Sequence, residues 1–111
     1  MAKGQFPAAN AYAERGAAYG RKGNVDKAIA DCTEAIRIDP RMASAYRNRG
    51  AAYAAKRELD KAITDLTDAI RLMPNDAAAY YNRGVVYEKK GEKAKAEADF
   101  ARAKKLGFKP R

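Results

Sequence analysis

The chain has 111 residues, long enough for one modest core, with 23 lysines and arginines against 14 aspartates and glutamates, a formal net charge of +9. Its single cysteine excludes an internal disulfide framework, and no apolar run approaches the ~18 residues of a membrane span. Abundant alanine, scarce valine and four prolines favour helix over sheet.

The start, MAKGQFPAAN, has no apolar h-region. No uncleaved signal peptide is visible, so a cytoplasmic location is expected; a mature exported form would read the same. AYAERGAAYGRKG then places Tyr12, Gly16 and Tyr19 at i, i+4, i+7 on one face of a first helix. Gly23 supplies its C-terminal stop, and Asn24 and Asp26 offer a start for a second helix. There Ala28, Cys32, Ala35 and Ile36 form another apolar stripe. Cys32 therefore reads as a small buried apolar residue rather than a reactive thiol. Pro40 ends the helix, because proline disfavours helical geometry in the residue before it.

The same design then recurs. Gly16, Gly50 and Gly84 are 34 residues apart, as are Tyr12, Tyr46 and Tyr80; Tyr19, Tyr53 and Tyr87; Arg15, Arg49 and Arg83; Ala28, Ala62 and Ala96; and Asp31, Asp65 and Asp99. Pro40 and Pro74 keep the interval. A fixed period of this size signals a solenoid of stacked units, each of two helices. The repeated glycine lies within a helix, where it costs about 1 kcal/mol relative to alanine. Its threefold recurrence implies close helix approach, with the flanking tyrosines filling the space between units.

In the second unit, AYRNRGAAY interleaves basic and aromatic residues, one signature of nucleic-acid contact. The arginine before each glycine has an aspartate sixteen residues later in every unit. Facing helices of a hairpin can bring such positions together. The repetition points to an ion pair, within a unit or between neighbours, rather than to a ligand contact. Arg57 stands where the other units have Gly23 and Gly91, so a looser middle turn is expected. The third unit ends LGFKP, with Pro110 two positions late.

Charge is uneven: residues 1–42 carry +2, residues 43–76 carry +1 and residues 77–111 carry +6. Lys89, Lys90, Lys93, Lys95, Arg102, Lys104, Lys105, Lys109 and Arg111 form a basic end. A solvated basic face, or nonspecific contact with a polyanion and steep salt dependence, fits better than sequence reading of nucleic acid.

Catalysis finds little footing. Without histidine the commonest general base is missing, and one cysteine cannot make a nitrogen–sulfur zinc site. Ser44 is the only serine and has no triad around it, and no glycine-rich phosphate loop occurs. The chain is not expected to be an enzyme.

The order Tyr12-x-x-Arg15-Gly16-x-x-Tyr19, then Ala28 with Cys32 four later, then Pro40, resembles the tetratricopeptide repeat (TPR) family, with three tandem copies at residues 9–42, 43–76 and 77–110 after a lead-in at 1–8. The family's usual leucine before the glycine is arginine in all three copies. The resemblance implies one all-α domain over residues 1–111. It would be a right-handed α-solenoid of three antiparallel helix-turn-helix hairpins, here without an evident C-terminal capping helix. It also implies a protein-interaction scaffold that needs no cofactor or metal and takes a protein or peptide in a concave groove lined by the first helices.

Groove positions carried over on that basis place Asn10, Arg21, Arg47, Asn48, Tyr81, Asn82 and Lys89 above a floor of alanine and glycine. Asparagine can satisfy both N–H and C=O groups of an extended backbone, and arginine and lysine favour acidic partners. The family's carboxylate clamp for chaperone tails corresponds to Ala13, Ala17, Asn48, Ala78 and Asn82, of which only Asn48 matches, so that clamp is not expected. The alternative to peptide capture is self-association through the last helix. There Phe100, Ala103 and Leu106, with Phe108 nearby, continue a stripe that a further helix would cover. That stripe is left wet, folded over by the tail, or matched by a second chain.

Overall fold

A computed structural model describes residues 6–109. The first five residues of the lead-in, Pro110 and Arg111 lie outside the described residues. Six helices follow in order: α1 (Pro7–Arg21), α2 (Val25–Ile38), α3 (Ala43–Ala55), α4 (Leu59–Leu72), α5 (Ala77–Lys90) and α6 (Lys93–Lys105). Among the described residues there is no strand, and no helix is long and apolar enough to cross a membrane.

The helices pair as α1/α2, α3/α4 and α5/α6, and each hairpin packs on the next. Along one side α1 approaches α3, and α3 approaches α5. No equivalent approach joins α2 to α4 or α4 to α6. The first helices are thus the closer-spaced layer, which makes theirs the concave face.

The turns inside the hairpins share one geometry. Gly23, Arg57 and Gly91 all have left-handed φ, at 83°, 69° and 86°. The next residue's N–H reaches back five positions in each case: Asn24 to the Tyr19 carbonyl, Glu58 to Tyr53 and Glu92 to Tyr87, all at 2.9 Å. Each is a Schellman-type stop. The middle turn is therefore not looser. Arg57 is held in the conformation that glycine adopts freely, a strained one for a residue with a Cβ. Asn24 occupies the N-cap position of α2 without a side-chain cap bond. Between hairpins, α2 and α4 end at extended Asp39 and Met73, just before Pro40 and Pro74.

Packing within a hairpin depends on the small residues. A Cβ added at Gly50 would lie 2.8 Å from Leu66 Cγ and 3.2 Å from the Ala62 carbonyl. The backbones of α3 and α4 approach too closely there for a side chain. Ala28, Ala62 and Ala96 are all fully buried at the same level of their hairpins. Leu66, Val86 and Cys32 are the largest fully buried side chains. Burial pushes the Cys32 thiol up to about 11, which keeps it protonated and unreactive at neutral pH.

The recurring arginine proves structural in every copy. Arg15, Arg49 and Arg83 each donate Nε and Nη2 to the two carboxylate oxygens of Asp31, Asp65 and Asp99, at 2.7–2.9 Å. Each pair lies within one hairpin. The guanidinium of Arg49 also lies over the rings of Tyr46 and Tyr53, with its central carbon 5.9 Å from both centroids. Arg15 and Arg83 sit between their own tyrosines in the same way. The basic–aromatic alternation of the sequence is thus an internal clasp, formed by residues one turn apart on a helix.

Candidate functional site: the concave groove

The close-spaced helices leave two hollows along the concave face. The first, about 260 Å³, lies between α1 and α3 and is lined by Ala17, Gly20 and Arg21 on one side and Asn48, Ala51 and Ala55 on the other. The second, about 350 Å³, lies between α3 and α5, with Ala51, Ala54 and Ala55 facing Asn82, Val85 and Lys89. Ala51 and Ala55 belong to both, so the hollows share a low alanine ridge. Asn48 and Asn82 are half-buried and sit one repeat apart; Arg21 and Lys89 are exposed at the rims.

Of the seven groove residues expected from the sequence, four are thereby brought together: Arg21, Asn48, Asn82 and Lys89. Tyr81 also lines the second hollow, but it is shared with the C-terminal tail. Its ring stacks on Phe108, with centroids 4.5 Å apart, and meets Phe100 at 5.4 Å. Asn10 and Arg47 line neither hollow. Arg47 instead donates from Nη1 to Asp76 Oδ2 at 2.9 Å, across the junction between the second and third hairpins. Asp76 uses its other oxygen to accept the Ala79 N–H and cap α5. One aspartate therefore caps a helix and occupies a residue expected to meet ligand.

The end of α6 differs from the ends of α2 and α4. Gly107, with φ 98°, replaces the extended exit, and the Phe108 N–H reaches back to the Ala103 carbonyl at 2.9 Å. This turn sends Phe108 back over Tyr81. The pair, with Phe100, Ala103 and Lys104, borders a third, largely apolar hollow of about 550 Å³. Ala103 is 1% exposed, while Phe100, Leu106 and Phe108 are half-buried. The tail thus folds over part of the stripe at the end of the solenoid.

The basic third repeat is partly neutralised. Lys90 pairs with Asp60 at 2.7 Å and Lys95 with Glu92 at 3.0 Å. Among the described residues no cluster of three or more metal-ligating side chains occurs.

Sequence reasoning missed four residues here. Asp76 has no counterpart in the other repeats, so periodicity could not single it out. Gly107 was visible only as a departure from the expected proline. Thr33 and Thr67 did carry a signal: they repeat at 34 residues and precede the recurring arginine by sixteen. They accept from Arg49 Nη1 and Arg83 Nη1, at 3.1 and 3.2 Å, linking each hairpin to the one before it.

Family profiles described as tetratricopeptide repeat match residues 9–42 and 77–107, and one described as TPR repeat matches residues 55–91. Among solved structures, the chain is similar to an Arabidopsis OM64 TPR domain, with a TM-score of 0.90 and 31% identity, covering 94% of this chain and 86% of that one. It is also similar to the first TPR of Spaghetti (RPAP3), bound to the HSP90 peptide SRMEEVD (TM-score 0.89, 26% identity, covering 93% of this chain and 82% of that one). The second TPR of the same protein, bound to the same peptide, gives a TM-score of 0.86 at 28% identity and covers 89% and 92% of the two chains. No curated protein sequence matched. Three hairpins in a 34-residue register, the profile matches and the likeness to OM64 converge: the chain belongs to the tetratricopeptide repeat family.

Proposed function

We propose that the chain is a non-enzymatic protein-interaction module that holds an extended, acidic peptide segment along its concave face. One observation carries this reading: two adjoining hollows share an alanine ridge, with Asn48 and Asn82 one repeat apart and a cation at each outer rim. The small side chains let a peptide backbone come close. Each asparagine can then donate to a carbonyl and accept from an N–H of that backbone. Arg21 and Lys89 add charge-assisted bonds to acidic side chains at either end. The acidic peptide of the RPAP3 structures is consistent with this class of ligand. Ala13, Ala17 and Ala78 stand where a carboxylate clamp needs polar or basic side chains, so binding here rests on backbone contacts rather than on a captured terminal carboxylate.

The test is an arrayed set of acidic peptides, followed by fluorescence anisotropy on the best binder. Asn48→Ala with Asn82→Ala removes both backbone contacts and touches no tie between hairpins. About a tenfold or greater loss of affinity is expected, from two hydrogen bonds of ~1 kcal/mol each, with an unchanged melting curve. Undiminished binding by the double variant would sink the proposal. Arg21→Glu with Lys89→Glu should lower affinity for the acidic peptide and spare a neutral one of the same length.

A further inference from the structure

We infer that the segment held in the concave groove is a polyproline-II helix with aliphatic side chains three residues apart between acidic flanks, one aliphatic group seated in each hollow. The inference rests on the reading of this face as a peptide groove, and adds the peptide's conformation and sequence register.

Each hollow combines an apolar floor with one amide. Gly16, Gly20 and Val25 line the first, and Leu66, Val85 and Val86 the second. Such floors gain from covering hydrocarbon rather than a polar side chain. Asn48 borders the first hollow and Asn82 the second. Floor and asparagine therefore recur together, one repeat apart.

That interval selects a backbone. Cα atoms of α1 and α3, and of α3 and α5, approach within 8 Å. Axes of packed helices lie about 8–10 Å apart, and the two hollows flank α3, so their centres are separated by about one such step. The ligand must present both an inward side chain and free backbone polar groups at this spacing. A β-strand returns to the same face after two or four residues, at about 6.6 or about 13 Å, and its third residue points away. An α-helix returns after seven residues, at ~10.5 Å, but its N–H and C=O groups are bonded internally and cannot meet the asparagines. A polyproline-II helix repeats every three residues, at ~9.3 Å, with every backbone group free. It alone of the three satisfies floors and amides together.

Charge places the acidic residues outside the aliphatic pair. Arg21 borders the first hollow and Lys89 the second, each on the side away from α3. Between the anchors the backbone crosses the ridge of Ala51 and Ala55. Proline suits these two positions. The groups that meet the asparagines belong to the anchor residues, so the missing N–H is not needed. Proline also keeps the residue before it out of the α region, which lowers the ordering cost of binding.

Three end-blocked, dye-labelled peptides of identical composition read the register by fluorescence anisotropy. Their valines are three apart in DDVPPVPDD, two apart in DDVPVPPDD and four apart in DDVPPPVDD. The first should bind the natural chain about tenfold or more tighter than either isomer, since only it seats both valines. Replacing its prolines by threonine, which favours β geometry, should weaken it. Ala51→Leu raises the exposed ridge between the hollows and should bring its affinity down toward that of the isomers. Equal affinities, a preference for spacing two or four, or an Ala51→Leu variant that keeps the full preference overturns the inference. So does an absence of binding by all three where the peptide array yields an acidic binder. The variant Asn48→Ala with Asn82→Ala separates the two readings. If it weakens peptides that show no register preference, the groove stands and only the polyproline-II register falls; if it leaves all binding unchanged, both fall.

Discussion

Arg49 holds Asp65 through two parallel hydrogen bonds of 2.8 and 2.9 Å and passes its remaining nitrogen to Thr33 of the hairpin before. The aspartate side chain is 4% exposed and the arginine 19%. Replacing Asp65 by alanine strands a guanidinium in a mostly dry site, and such breaks cost about 3–5 kcal/mol. Asp31→Ala in the first hairpin should cost clearly less, because the exposed Arg15 can turn to water. Urea unfolding of the two variants measures the difference; equal losses would contradict this account of the clasp. Since the clasp lies away from the hollows, Arg49→Leu should lower stability and leave peptide affinity largely intact.

The glycines divide by what surrounds them. Gly50→Ala presses a methyl group against Leu66 and the Ala62 carbonyl, and overpacking of this kind costs about 1–3 kcal/mol. Gly20 is helical too, yet an added Cβ there would come no nearer than 3.9 Å to Ala28 Cβ. Gly20→Ala should therefore stabilise the fold by up to about 1 kcal/mol through helix propensity alone. Thermal unfolding of the two variants should shift in opposite directions.

Much of this was legible in the sequence because the repeat states it three times. The 34-residue interval marks out the six helices, and the sixteen-residue offset marks out the Arg–Asp pairs. The groove was legible only in part. Arg47 and Tyr81 lie on first helices of their hairpins, but Asp76 and Phe108 engage them, and neither partner recurs in the other repeats. Periodicity reveals what every unit shares. The residues that set one unit apart depend on neighbours reached through a turn, such as the reversal at Gly107.

Phe108 shows what that turn does. Its ring covers Tyr81 and borders the apolar hollow beside Phe100 and Ala103. Phe108→Ala should loosen the end of α6 at a cost of about 1–2 kcal/mol and leave the first two hairpins unaffected. Hydrogen exchange would register the change as faster exchange in α6. Uniform acceleration through α1 to α4 would count against a local role for the tail.

Arg57 was expected to loosen its turn, and it instead adopts the glycine conformation with φ 69°. The Glu58 N–H still reaches the Tyr53 carbonyl, so the turn is complete and the strain stays in the residue. Arg57→Gly should relieve it, giving a net gain of about 1 kcal/mol, less whatever the more flexible unfolded chain takes back. Arg57→Val should destabilise, since β-branching makes the left-handed region harder to reach. A lower melting temperature for the glycine variant would show that the arginine side chain contributes something its exposed position does not reveal.

Stability should fall at both ends of the pH scale, with opposite signs of linkage. Hydrogen bonds from Arg15 hold the Asp31 carboxyl below the usual carboxylate range, and Arg37 and Lys95 do the same for Glu34 and Glu92. A depressed acid stabilises the fold above its unfolded value of about 4, and that contribution is lost as pH falls through the lower folded value. Lys56 and Lys90 are raised, chiefly by hydrogen bonds to Asp26 and Asp60. Their contribution is complete below the unfolded value of about 10.4 and is lost as pH rises through the higher folded value. Urea midpoints should thus hold a plateau from about pH 5 to 9. Asp31→Asn should flatten the acid limb, and Lys56→Met with Lys90→Met the alkaline one. An acid limb unchanged by Asp31→Asn would mean that the pair with Arg15 does not couple to folding.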